Sequence, residues 1–181
     1  MTKIKGIEAN NLRLTKQPRL PIKMERKSSM IEPRKFRHNA GFGKRMEYYV
    51  LGRMLKEGID LYVPLVDDFG IDAIIRKQDG TFIELQIKAR SEDVVFGDAA
   101  LFAAITHEAR QNYYFLFYSA RLDKTWIMSS QEFISESVLN KSGKNVGKRS
   151  IWFNGKNTKA NTEHGHPRFD RYLDEKFSRL K

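Results

Sequence analysis

Between residues 81 and 90 the chain reads TFIELQIKAR, with Ile83, Leu85 and Ile87 alternating with Glu84, Gln86 and Lys88. Alternate side chains of an extended strand share a face, so this is a strand with one apolar face and one carrying a carboxylate, an amide and an ammonium in a row. Just before it, GIDAIIR is a second apolar run, and the intervening KQDGT carries an Asp-Gly turn signal. The pair predicts a hairpin, strand 71–77 against strand 81–89. A three-residue loop with Gly80 in the left-handed position of a bulge suits it best. That loop sets Lys77 opposite Thr81 and Ile74 opposite Glu84, and brings Asp72 opposite Gln86 on the polar face. A two-residue turn would put Asp72 on the other face.

Elsewhere the periodicity changes. Residues 44–57 predict a helix with an apolar stripe through Val50, Leu51 and Met54, stopped by Gly58. One turn before Leu51, Glu47 falls at the inner edge of that stripe. DLYVPLV predicts a short strand that Pro64 confines to a sheet edge. GDAALFAAITHEARQ predicts an Ala-rich helix capped by Asp98, and NYYFLFYS a central strand buried on both faces. KTWIMSS predicts a strand, SQEFISESVLN a helix with Ser130 near its N-cap, and residues 149–153 a further strand. RFDRYLDEKFSRLK, with Phe169, Tyr172, Leu173, Phe177 and Leu180 at helical spacing, predicts a closing amphipathic helix. The expected class is α/β: a mixed β-sheet flanked by helices.

Composition adds partners and compartment. The 181 residues are 40% hydrophobic and contain no cysteine, which excludes a disulfide framework and a thiolate metal site. Neither a signal-type apolar region nor a membrane-length apolar run is present, so a cytoplasmic protein with no membrane partner is expected. The net charge of +11 points to a polyanionic partner. It is unevenly placed: residues 1–40 hold eleven Lys or Arg against three Glu, so +8 of the +11 sits there. With Pro18, Pro21 and Pro33 and no sustained periodicity, residues 1–40 are expected to form an extended or flexible basic arm. Residues 41–181 are then a single α/β domain.

Under the bulged-turn register Asp72, Glu84, Gln86 and Lys88 converge, and Glu47 can join them. Oxygen donors of this kind suit a hard divalent ion, with waters and phosphate oxygens completing its shell. The run GIDAIIRKQDGTFIELQIKAR resembles the core of the PD-(D/E)xK nuclease superfamily, the restriction-endonuclease-like fold. The resemblance covers roughly residues 43–130. It maps the metal-binding Asp onto Asp72, the (D/E)xK element onto Gln86-Ile87-Lys88, and the upstream helical Glu onto Glu47. Gln86 stands where a carboxylate is usual, and Glu84 on the same face could supply the charge.

The resemblance implies an αβββαβ core and a metal-dependent endonuclease that hydrolyses DNA phosphodiester bonds. The implied catalytic set is Asp72, Gln86, Lys88, Glu47 and Glu84. Of these, Asp72, Gln86, Glu47 and Glu84 would hold Mg2+ (or Mn2+), and Lys88 would orient the nucleophile. Lys44, Arg45, Arg90, Arg34, Lys35 and Arg37 are the expected DNA-backbone contacts, and a homodimer would suit an enzyme that cuts two strands. The alternative is a catalytically inactive nucleic-acid-binding protein on the same scaffold, which Gln86 favours. Three other signals carry less. DDFG lacks the remaining kinase motifs, GFGKR lacks phosphate-loop spacing, and His164 and His166 of TEHGHP lack an HNH setting. His107 is expected to be packed or at the surface.

Overall fold

The computed structural model describes residues 39–66, 69–157 and 162–181. The chain divides into two units, Met1–Arg34 and Lys35–Lys181, and every described residue lies in the second. The expectations for the arm, with Arg34, Lys35 and Arg37, therefore lie outside the described residues.

The first helix, α1, spans Asn39–Lys56 and begins five residues earlier than its apolar stripe predicts. It ends where Gly58 takes a positive φ of 76°. Five strands follow one another into the main sheet: β1 Asp60–Tyr62, β2 Ala73–Arg76, β3 Phe82–Arg90, β5 Tyr113–Ser119 and β6 Lys124–Ser129. Their spatial order is β1-β2-β3-β5-β6, with β3 and β5 parallel and all other pairs antiparallel. This is a mixed sheet flanked by helices, as the alternation of patterns predicts. β1, carrying Pro64 just beyond it, is an edge strand. β5, apolar along its whole length, is central and buried.

Each face of the sheet has its own core. On one, Val50, Leu51 and Met54 of α1 pack on Ile83, Leu85, Ile87, Leu116 and Ile127, with Phe177 and Leu180 from the end of the chain. On the other, Phe115, Phe117, Trp126 and Met128 pack against Phe102, Phe133, Ile151, Phe153 and Phe169. The second core is almost entirely aromatic: Phe115 and Phe117 stack at 5.6 Å between ring centres, and Trp126 and Phe153 at 4.7 Å. The helix α2, Ser130–Glu136, borders it. Its cap is Ser129 rather than Ser130: the Ser129 hydroxyl accepts from Glu132 N–H while the Glu132 carboxylate accepts from Ser129 N–H.

Two predicted helices are absent. Residues 98–111 form a turn and then strand β4, Leu101–Ile105, where the alanines and the family resemblance predict the helix of an αβββαβ core. β4 belongs to a second sheet, ordered β4-β8-β7, with β8 at Arg149–Trp152 and β7 at Val138–Leu139. Its hold comes from far along the chain. Ala100 N–H donates to the buried Asn154 Oδ1 at 2.9 Å, Phe153 N–H donates to Ala100 O, and Phe102 packs on Phe117 and Phe153. Tertiary partners of this kind outweigh an alanine's helix preference of under 1 kcal/mol per residue.

The closing segment forms two short 3-10 turns, Pro167–Tyr172 and Ser178–Leu180, separated by Phe177 in a left-handed conformation (φ 56°). Its apolar residues are buried as the helical spacing predicts, apart from the half-buried Leu173, which bridges to Trp126 on β6. That bridge, with Asp174 N–H donating to Thr125 O at 3.0 Å, covers the open edge of β6, which a regular helix could not pair. A small two-stranded ribbon, β9 Asn154–Asn157 with β10 Thr162–Gly165, completes the described elements and includes His164.

Candidate active site

The β2–β3 hairpin has the bulged-turn register. Ala73 pairs with Leu85, Ile74 with Glu84, Ile75 with Ile83 and Arg76 with Phe82. Lys77 N–H donates to Thr81 O at 2.8 Å, and Gly80, at φ 83°, donates to Lys77 O. Asp79 fixes the loop by accepting from both the backbone N–H and the hydroxyl of Thr81, and these bonds hold its carboxyl below the ordinary value. The turn therefore sets the register from one end.

At the other end the ladder changes character. Asp72 N–H takes Leu85 O at 2.8 Å, and its Oδ2 accepts from Ile87 N–H at 2.6 Å. The side chain thus stands in for the next backbone rung. This ties the carboxylate to the residue between Gln86 and Lys88, in a position only 7% exposed. The sequence predicts this neighbourhood, though the link runs through the Ile87 backbone rather than through a direct Asp72–Gln86 contact.

Gln86 and Lys88 lie on the same face of β3 and are half-buried. Gly70 sits directly against Gln86, where a Cβ at position 70 would fall 2.4 Å from Gln86 Nε2. Lys88 makes no side-chain hydrogen bond or ion pair with another described residue. A half-buried ammonium without an internal anion is costly unless water or a ligand compensates it.

Glu84 is engaged elsewhere. It forms a hydrogen-bonded ion pair with Arg110, whose guanidinium also donates to Phe69 O and lies 4.3 Å over the Tyr113 ring. Tyr113 in turn donates its hydroxyl to Gly70 O at 2.8 Å. Arg110 and Tyr113 thus clasp two successive carbonyls and hold the Phe69–Gly70 loop against Gln86. Sequence reasoning missed Arg110 because it assigned THEAR to a helix; only its place three residues before the central strand hinted at this reach.

Glu47 faces inward from α1 with its side chain 19% exposed, and its Oε2 lies 2.6 Å from Lys44 Nζ, a close ion pair without hydrogen-bond alignment. Lys44's pKa is raised chiefly by Glu47, and burial of the ammonium opposes this. The Asp72 charge contributes too, which puts this part of α1 within electrostatic reach of Asp72. Arg45 is exposed beside Lys44. Arg90 is not a free cation. Its Nε donates to Asp98 O at 3.2 Å and its Nη2 lies 3.9 Å from Asp98 Oδ2, so it braces the turn before β4.

Among the described residues no group of three or more His, Asp or Glu comes together that could hold a metal ion by itself. Of the predicted oxygen donors, Asp72 is anchored at Ile87 N–H, Gln86 lies on the face of β3 opposite the one on which α1 packs, and Glu47 stays on α1 beside Lys44. All three are oxygen donors of the kind a hard divalent ion takes, and Asp72 is an anchored, nearly buried carboxylate. His107 lies outside this group. It packs against Tyr113, Phe115 and Phe133 and shares a 2.7 Å hydrogen bond with Ser130. Burial, helped by the charges of Arg110 and Arg149, pushes its pKa down from 6.5 to about 4.

Fold and site together define a mixed α/β domain whose central hairpin presents an anchored aspartate beside a Gln-x-Lys strand. No protein-family model matches the chain, and no curated protein matches it. Among solved structures it is similar to a bacterial homing endonuclease, I-Ssp6803I, with a TM-score of 0.49 and 18% identity, over 72% of this chain and 85% of that one. Among the described residues no helix is long and apolar enough to cross a membrane.

Proposed function

We propose that the protein is a metal-dependent nuclease of the PD-(D/E)xK type that hydrolyses DNA phosphodiester bonds. The observation that carries this is the 2.6 Å bond from Ile87 N–H to Asp72 Oδ2, which fixes a carboxylate at the centre of the Gln86-Ile87-Lys88 element. Asp72 and Gln86, with Glu47, would hold Mg2+ or Mn2+. When bound, the ion would polarise a phosphoryl oxygen and lower the pKa of an attached water.

The chain's own residues do the rest. Ile87 N–H pins the Asp72 carboxylate in position. The Arg110–Tyr113 clasp keeps the Gly70 backbone against Gln86 and so limits where its amide can turn. Lys88, having no anion of its own among the described residues, would orient a water and offset charge developing at phosphorus. Lys44, Arg45 and the basic residues of the first 40 supply sequence-independent attraction to the DNA backbone.

The test is cleavage of plasmid and single-stranded DNA with Mg2+ or Mn2+, repeated with Lys88→Ala and Asp72→Asn. Asn keeps an acceptor for Ile87 N–H, so the hairpin survives. Each substitution is expected to lower the rate by about 10^2- to 10^3-fold, the usual effect of removing one preorganised group. Undiminished cleavage by Lys88→Ala refutes the assignment.

A second reading, DNA binding without cleavage, draws on Gln86 standing in a carboxylate's place and on Glu84 being neutralised by Arg110. It predicts salt-sensitive binding, no turnover with either ion, and no metal uptake by calorimetry.

A further inference from the structure

The half of the sheet nearest β1 carries side chains that neither core uses. Pairing places Tyr62 opposite Ile74 and Ile74 opposite Glu84, so these three share a face. Phe82 joins them by alternation along β3, on the face that also bears Gln86 and Lys88. Tyr62 is 50% exposed and Phe82 52%, and their rings tilt together with centres 6.4 Å apart. With Gln111 and Asn112 these four residues line a cavity of about 700 Å³. The amides of Gln111 and Asn112 are exposed and make no side-chain hydrogen bond with another described residue.

A contiguous exposed apolar patch lined by polar groups commonly marks a binding site. The lining here is specific: two ring faces for stacking, two unengaged amides with both donors and acceptors, and a carboxylate already neutralised by Arg110, so that its charge does not repel phosphate. Phe82 and Gln86 are four residues apart on one strand, about 13 Å, a distance that a short run of single-stranded DNA covers. The excess of Lys and Arg over Asp and Glu in the chain, +3 of it within residues 41–181, favours such a strand.

We propose that this cavity is a nucleobase subsite. In it Tyr62 and Phe82 stack an unpaired base of a DNA strand whose backbone passes Gln86 and Lys88, and the Gln111 and Asn112 amides bond the base edge. The assignment deepens the nuclease reading and rests on it for the identity of the strand. Its ligand class is single-stranded or locally opened DNA rather than intact duplex, because a base inside a duplex offers no free face.

The test uses the full chain without divalent ions, so that cleavage plays no part. A single-stranded oligonucleotide carrying 2-aminopurine is titrated with wild type, Tyr62→Ala, Phe82→Ala and Phe82→Tyr, alongside the matching duplex. Wild type is expected to quench the aminopurine. Each alanine variant is expected to weaken single-strand binding by about 5- to 100-fold while duplex affinity moves by under about twofold, and Phe82→Tyr to retain binding. No loss with either alanine variant, or an equal loss on the duplex, overturns the proposal. So does sedimentation showing a wild-type dimer that both alanine variants dissolve, since a second copy of the chain would then be the occupant. Protein that quenches but never cuts when Mg2+ is added keeps the subsite and ends the nuclease reading. Protein that cuts, with single-strand binding unchanged by both substitutions, does the reverse.

Discussion

A methyl group at position 70 has nowhere to go. Gly70 has a φ of 67°, which a side chain resists, and a Cβ there would meet Gln86 Nε2 at 2.4 Å. The amide is the end of a flexible chain, so it would swing aside rather than break the fold. Gly70→Ala is therefore expected to cost about 1 kcal/mol of backbone strain, a fall in Tm of only a few degrees. DNA cleavage should suffer more, dropping about tenfold or further as Gln86 leaves its place. Calorimetry and cleavage assays separate the two effects. In a Gly70→Ala/Gln86→Ala double variant the losses should fail to add, which is the signature of one residue acting through the other. None of this is legible locally in DDFGID. Glu84 teaches the converse: its alternation with Gln86 is plain in the sequence, but its engagement by Arg110 depends on a residue 26 positions away.

At the scale of elements, what was legible is what is local. The KQDGT turn dictates its own hydrogen bonds, so the register of β2 and β3 followed from five residues. The stripe of α1 and the unbroken apolar run of β5 likewise announce a helix and a buried strand. The failures share one cause. Residues 98–111 have the composition of a helix, and the 167–181 segment has the spacing of one, yet each is captured by a strand edge laid down elsewhere in the chain. For β4 the captor is identifiable: Asn154, fully buried, accepts from both Ala100 N–H and the Trp152 indole N–H. Asn154→Ala leaves the Ala100 N–H without its acceptor, while the Trp152 indole keeps Gly97 O, and is expected to destabilise by about 1–3 kcal/mol. Hydrogen exchange at Ala100 and along β4 should rise first, while the β2–β3 hairpin stays protected; uniform loss of protection would show that β4 is not a separate weak point.

For the molecule as a whole, the aromatic core on one face of the sheet is sensitive to acid. The aromatic core holds His107, whose pKa burial and two arginines depress to about 4. The unfolded chain takes up this proton near pH 6.5 and the folded chain does not, so the stability this residue contributes is lost as pH falls from about 6.5 toward 4. Urea midpoints measured across that window should fall for wild type and fall less for His107→Gln; identical slopes would mean that the imidazole is solvated. Glu132 adds to the same trend. Burial alone would raise its pKa, but Ser129 N–H and Arg179 outweigh that and lower it, so acid weakens this pairing too.

The α1 core has a different dependence, on order of synthesis. Its first contributors are Val50 and Met54, and its last are Phe177 and Leu180, all fully buried in one cluster. A ribosome emits the helix more than a hundred residues before the side chains that seal it. Throughout that interval the apolar face of α1 lacks the two side chains that cover it in the fold, Phe177 and Leu180. The interior of this domain is therefore complete only once residues 177–180 have been made.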